Sequence, residues 1–277
     1  MELQLLESKD NETSFVIKGI NPVYANTIRR IATSEVPTMA IDEINFIKND
    51  SALYDEIVAH RLGLVPLKTD LKSYNLKEEC TCKGAGCAKC TLKLSLNLKG
   101  PATVYSHDIQ SADPKVKPVY DKMPITLLIK NQKLELEATA ILGKGKTHAK
   151  FSPGRVFYRA YPSISITQSK IVNPEKYVKV CPQDVYETDG KTLKIKDLTA
   201  CDLCNACVEI ADDDSIKVSG SKSDFIFSME SFGQLSNKEI LQESAKIFDA
   251  KLNEFSKKLK DSEESKITKI KKRIIRK

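Results

Sequence analysis

Eight cysteines, gathered into two tight groups, constrain this chain more than any other feature. Cys80, Cys82, Cys87 and Cys90 form a C-x-C-x4-C-x2-C loop, while Cys201, Cys204 and Cys207 form C-x2-C-x2-C, with Cys181 upstream and followed at once by Pro182. The N-terminal stretch MELQLLESKD has no basic segment leading into an apolar one, and the longest apolar runs, such as Ile125 to Ile129, fall far short of a membrane span. A cytoplasmic protein is therefore expected. Thiols stay reduced in that compartment, so tightly grouped cysteines point to metal binding rather than to a disulfide framework.

The second group follows a recognisable arithmetic. In bacterial-type ferredoxins each run C-x2-C-x2-C-x3-C-P gives three thiolates to one cluster and its Pro-adjacent cysteine to the other. Counting back from Cys181, its own run would need cysteines where Tyr177, Pro174 and Ile171 stand; counting forward from Cys207, the fourth position is Ala211. One complete set survives: Cys181 with Cys201, Cys204 and Cys207. A cubane needs four ligands disposed tetrahedrally, which a tight triplet and one remote cysteine supply, so one [4Fe-4S] cluster is the expected occupant. Structural zinc also takes four thiolates, but its sites usually pair C-x2-C units. In the first group Gly84 and Gly86 let the backbone fold sharply enough for four sulfurs to converge, and Zn2+ is the expected ion; a flexible loop whose thiolates are stabilised by neighbouring lysines is the alternative.

At 277 residues, two or three domains are expected. The net charge of +7 suggests nucleic acid until it is located. Lys251 to Lys277 holds eleven Lys or Arg against four Asp or Glu, which leaves the first 250 residues balanced. A zinc-dependent nucleic-acid-binding protein would spread basic residues over its cysteine units, so the distribution argues against that class. The tail KITKIKKRIIRK is either a solvated end or a transient contact with nucleic acid or an acidic surface.

Periodicity places the elements. Glu2 to Leu6 and Thr13 to Lys18 alternate around a polar turn, predicting a hairpin. Asn21 is an N-cap with Pro22 at the first helical position, and Tyr24, Ile28, Ile31 and Ala32 follow at helical spacing up to Pro37. Met39 to Ile47 reads as a strand, and Leu53 to Leu62 as a helix closed by Gly63. Leu92 to Leu98, Thr103 to His107, Ile125 to Ile129 and Leu134 to Leu142 predict an antiparallel β-rich region, Lys144 to Gly154 a linker, and Ile171 to Ser219 a compact cysteine-bearing unit. Ser236 and Glu239 fit a capping box. Behind it Leu241, Ala245, Phe248, Leu252, Phe255 and Leu259 make a 4-3-4-3-4 seam, expected to face another subunit rather than the chain's own core.

Two strings carry more information than spacing. Ala25 to Pro37, ANTIRRIATSEVP, resembles the paired-arginine helix of the RNA polymerase alpha family, and Tyr54 to Leu67, YDEIVAHRLGLVPL, resembles the block that follows it in the archaeal D-type subunits and their eukaryotic counterparts. The resemblance covers essentially the whole chain. It implies an α+β fold in which a discontinuous alpha-like dimerisation domain (residues 1–47, 150–168 and 220–277) carries an inserted β-rich domain (48–149, with the zinc-loop candidate at 80–90) and an inserted ferredoxin-like [4Fe-4S] domain (169–219). It also implies a non-catalytic scaffold: a heterodimer with subunit L, joined by subunits N and P, on which the large catalytic subunits of a DNA-directed RNA polymerase assemble. Contacts to a large subunit carry over to Arg29, Arg30, His60 and Arg61. DNA is met only through the assembled polymerase, with neither a membrane nor a small-molecule substrate.

No catalytic residue is expected. His60, His107 and His148 show no pairing with a nucleophile or carboxylate, there is no phosphate-cradling glycine loop, and no carboxylate triplet suits two-metal nucleotidyl transfer. The remaining alternative is a ferredoxin-like electron-transfer subunit of an oxidoreductase, against which stand the single retained cluster and the large scaffold around it.

Overall fold

The computed structural model describes the backbone of residues 1–275 and the side chains of residues 1–261 apart from Asp213; the side chains of the basic tail from Ser262 onward lie outside the described residues. In chain order the first elements are β1 (Glu2–Lys9), β2 (Glu12–Lys18), α1 (Pro22–Ser34), β3 (Pro37–Asn49), α2 (Asp55–Gly63), β4 (Thr91–Lys99), β5 (Ala102–Tyr105), β6 (Gln110–Ser111) and β7 (Pro124–Leu128). There follow β8 (Lys133–Lys144), β9 (Gly154–Ile166), α3 (Pro174–Val180), β10 (Tyr186–Thr188), β11 (Leu193–Ile195), α4 (Ala206–Glu209), β12 (Ile216–Ser231) and α5 (Asn237–Ile275). They divide into two compact units, one of Met1–Arg29 with Val156–Met229, the other of Arg30–Arg155 with the segment that begins at Glu230.

The first unit is built on the sheet β1-β2-β12-β9. Phe15, Val16 and Ile17 of β2 are buried, and Phe15 stacks on Phe227 of β12 with ring centroids 5.3 Å apart. Tyr158 of β9 meets Phe225 edge-on at 5.5 Å. By contrast β1 is exposed along its whole length, Leu3 at 58% and Leu5 at 59%. α1 begins as expected, the Tyr24 amide donating to the Asn21 side chain at 2.7 Å, a cap that satisfies one of the four unpaired amides of a first turn.

The second unit holds the sheet β3-β8-β4-β6 and the pair β5-β7. Strict alternation in β4 buries Leu92, Leu94 and Leu96 and turns the lysines outward; the antiparallel register sets Leu94 opposite Ala138 and Leu96 opposite Leu136. Val58 and Leu62 of α2 are buried in the same core as Met39 and Ile41 of β3. Gly63 does not cap α2 in a left-handed conformation. The Leu64 amide donates to the carbonyls of His60 and Arg61, at 3.2 and 3.3 Å, so the helix tightens into its last turn, and Leu64 stays in the right-handed region at φ −88°.

The stretch expected as a linker, Lys144 to Gly154, is instead packed. Phe151 is buried, and its carbonyl accepts from the buried Thr38 hydroxyl at 2.8 Å. The Ser152 hydroxyl donates to the Thr33 carbonyl at 2.8 Å, and the Lys150 ammonium to the Ile41 carbonyl and the Asp42 carboxylate. Polar composition concealed this because the segment's anchors are backbone groups and one aromatic ring.

Candidate functional site

In the first cysteine group, residues 80 to 90 precede β4 and turn back on themselves through positive φ at Lys83, Gly84 and Gly86. The left-handed backbone costs a glycine nothing, which is why two of the three positions carry one. Backbone bonds close the turn: the Lys83 amide donates to the Cys80 carbonyl, Ala85 to Cys82 and Cys90 to Cys87. All four sulfurs lie within 4.8 Å of one another, with Cys80 to Cys87 at 3.6 Å, Cys82 to Cys90 at 3.5 Å and Cys87 to Cys90 at 3.9 Å. Four thiolates at a Zn–S length of about 2.3 Å on a tetrahedron stand about 3.8 Å apart. The arrangement therefore fits one metal ion, and Cys80, Cys82, Cys87 and Cys90 can hold it.

The thiols are already differentiated without an ion. Burial pushes Cys82 up, but hydrogen bonds from the Cys80 thiol, the Gly86 and Gly84 amides and Cys90 outweigh it and bring Cys82 down to about 6. Cys90 goes the other way, to about 12: the Cys87 amide alone favours its thiolate, and burial together with the neighbouring sulfurs overrides that amide.

In the second cysteine group, Cys181, Cys201 and Cys207 belong to the small core of Tyr177, Val185, Tyr186, Leu193 and Ile216. α3 is capped by the Asn173 side chain, which accepts from the Glu175 amide at 3.1 Å, and ends on Cys181. Positive φ at Leu203 (64°) and Asn205 (61°) bends the chain on both sides of Cys204, so the triplet wraps tightly instead of continuing as a helix. Cys201 and Cys207 are buried, Cys181 half-buried and Cys204 exposed. Cys181 lies within electrostatic reach of Cys201 and Cys204, and Cys207 within reach of Cys201: burial first, then the charges of Cys207, Asp202 and Cys181, raise the Cys201 thiol. The Cys204 thiol also rises, burial and the charges of Asp202 and Cys181 overcoming the Ala206 amide that favours its thiolate. On the strand side the Arg159 guanidinium donates to the Thr199 carbonyl at 2.5 Å, and a Cβ on Gly220 would come within 3.1 Å of the Leu203 side chain. The triplet is thus seated closely on β9 and β12.

Sequence reasoning missed Tyr186. Its ring is buried, and its hydroxyl donates to the Cys207 sulfur at 3.2 Å. A lone tyrosine far along the chain from that cysteine carries no pattern that would have marked it.

Of the remaining sequence-derived positions, Arg29 is half-buried and donates through Nε to the Asn26 side chain at 3.1 Å, while Arg30 is exposed. His60 and Arg61 are exposed on α2, with Arg61 donating to the Pro124 carbonyl at 2.9 Å. On α5 the capping box is complete, the Ser236 amide donating to the Glu239 carboxylate at 2.9 Å and the Glu239 amide to the Ser236 hydroxyl at 3.3 Å. Leu241 and Phe248 are half-buried and Ala245 is exposed; farther along, Leu252, Phe255 and Leu259 are 48%, 62% and 49% exposed. The chain's own core takes Leu235, Ile240 and Ser244 from a neighbouring stripe. No helix among the described residues is long and apolar enough to cross a membrane.

A β-rich unit that begins behind a paired-arginine helix defines a class: residues 23–155 match the family described as RNA polymerase Rpb3/RpoA insert domain. The chain is also 39% identical over 249 residues to the DNA-directed RNA polymerase subunit Rpo3 of Methanosphaera stadtmanae, covering 87% of this chain and 92% of that one. To the Rpo3 subunit of Archaeoglobus fulgidus it is 37% identical over 257 residues, 92% of this chain and 97% of the relative. The corresponding Pyrococcus furiosus subunit is 44% identical over 169 residues, 61% and 62% of the two chains. The chain belongs to the Rpo3 family of archaeal DNA-directed RNA polymerase subunits. It is an assembly subunit of the transcription machinery, and the relatives do not favour the electron-carrier alternative.

Proposed function

We propose that this assembly subunit acts as one half of a heterodimer whose other half is the small alpha-like subunit L, and that the pair, joined by subunits N and P, is the platform for the two large catalytic subunits. The observation that carries the reading is the run of Leu252, Phe255 and Leu259 on α5, large apolar side chains 48%, 62% and 49% exposed at the spacing of a helix-packing seam. Burying one such side chain fully stabilises by about 1.5–3 kcal/mol, so three half-exposed ones contribute on the order of 3 kcal/mol. That is too little to hold a stable pair, and the exposed Leu3 and Leu5 of β1 are further apolar surface for the same purpose. The dimerisation domain is drawn from residues 1–47, 150–168 and 220–277, with 48–149 and 169–219 inserted. Arg29 and Arg30 of that domain, with His60 and Arg61 of the 48–149 insertion, are the chain's contacts to a large subunit, and DNA is reached only through the assembled enzyme in the cytoplasm.

Both metal sites are structural in this reading. Zn2+ would be held by Cys80, Cys82, Cys87 and Cys90, whose sulfur separations suit a single tetrahedral ion. Cys181, Cys201, Cys204 and Cys207 would hold one [4Fe-4S] cluster; a cubane takes four thiolates, and the positive φ at Leu203 and Asn205 turns the chain on both sides of Cys204 as a close triplet requires. When bound, the cluster supplies a covalent cross-link between the α3 end and the triplet. The chain's own contribution is the shared core in which Cys181 packs with Cys201 and Cys207.

Anaerobic co-expression with subunit L, followed by iron, sulfide and zinc quantification on one chromatographic peak, tests the reading. About four irons and one zinc per chain are expected. Zinc in both sites, or iron in neither, would overturn the metal assignment while leaving the family intact.

A further inference from the structure

We infer that Tyr186 is a positioning residue for the iron–sulfur cluster, its hydroxyl holding a permanent hydrogen bond to the Cys207 ligand sulfur. The inference rests on the cluster reading above. Three observations carry it. The ring is 3% exposed and packed in the cysteine core, so the hydroxyl is walled off from solvent and needs an internal acceptor. The acceptor it finds is the sulfur of Cys207, 3.2 Å away, itself buried. The strand that carries the tyrosine, β10, begins a few residues beyond Cys181 and is fixed by its register on β11, Tyr186 opposite Ile195. One short stretch therefore delivers both the remote ligand and a donor aimed back at the triplet.

Such a donor matters because a hydrogen bond to a coordinating sulfur withdraws electron density from the metal–sulfur bond and favours the more reduced cluster. The neighbouring Tyr177 is a built-in control: it is fully buried in the same core, but its hydroxyl pairs with the Ser215 hydroxyl at 3.0 Å.

Resonance Raman spectra of the full chain, purified anaerobically with its iron quantified, test the proposal in H2O and D2O. Y186F is expected to keep the wild-type iron content, to move an iron–cysteine stretching band to higher frequency and to lose part of that band's D2O sensitivity; Y177F is expected to match the wild type. A wild-type chain without iron would sink the cluster reading itself. Full iron with an unmoved band in Y186F, or the same change in Y177F, would overturn the role of Tyr186 alone. Where Y186F loads poorly, incorporation of 3-fluorotyrosine decides: the more acidic hydroxyl must lower the same band, and an unmoved band overturns the proposal.

Discussion

The sulfurs of Cys82 and Cys90 lie 3.5 Å apart, yet the loop draws their protons in opposite directions, Cys82 down to about 6 and Cys90 up to about 12. In a chelator-treated chain at pH 7.5, Cys82 is therefore the thiolate of the pair and Cys90 the thiol. The sign follows: Cys82 reactivity persists down to about pH 6 and falls below it, whereas Cys90 stays protonated until far above neutrality. Iodoacetamide labelling read by mass spectrometry should mark Cys82 well before Cys90, and metal should protect all four cysteines. Equal labelling rates for Cys82 and Cys90 would refute the electrostatics of the loop.

Ser236 and Glu239 cap α5 reciprocally, and hydrogen bonds from the Ser236 hydroxyl and amide, against a smaller effect of burial, hold the Glu239 carboxyl below its usual range. A lowered carboxyl stabilises the fold above its unfolded pKa, and that contribution is lost as pH falls through the folded one. S236A should cost about 1 kcal/mol. E239Q should flatten the acid side of the pH profile. Amide exchange in the first turns of α5, measured between pH 3 and 6, checks both.

Gly145 sits where a Cβ would come within 2.5 Å of the Thr33 carbonyl oxygen, a backbone atom that cannot step aside. G145A is expected to destabilise the second unit by about 1–3 kcal/mol, in the range of other overpacking substitutions. Thermal unfolding of the two proteins measures it, and an unchanged midpoint would show that the segment is looser than its contacts indicate.

These contacts show what the sequence made legible and what it hid. The caps at Asn21 and Ser236 were readable because capping is local chemistry within one turn, and the β4 and β8 strands because alternation survives burial on one face. The anchoring of Phe151 and the packing of Gly145 were not, since a close approach between distant backbones leaves no periodic trace. Within the cysteine unit the ligand candidates followed from spacing, whereas Tyr186 depends on strand register and emerged only in three dimensions. On α5 the apolar spacing was plain, but the division between the stripe of Ile240 and Ser244, taken by the chain's own core, and the exposed Leu252 and Phe255 needed the fold.

Because Cys181 packs in one small core with Cys201 and Cys207, removal of the proposed cluster's iron should loosen that unit first. Replacing Cys181 with Ser breaks the remote tie while leaving the triplet intact. Hydrogen exchange over residues 171–219 is expected to accelerate at least tenfold, with the β4 and β8 sheet unaffected. Uniform protection in both proteins would mean that the core holds without the cluster.

The central claim, that this subunit assembles through the apolar face of α5, is tested most directly by co-purifying it with subunit L, comparing the wild type with the exposed-face double variant L252D/F255D. A one-to-one heterodimer is predicted for the wild type, with at least a hundredfold loss of affinity in the variant and unchanged circular dichroism of the isolated chain, as expected when two charges are forced into an apolar contact. A variant that binds subunit L as tightly as the wild type would contradict the account.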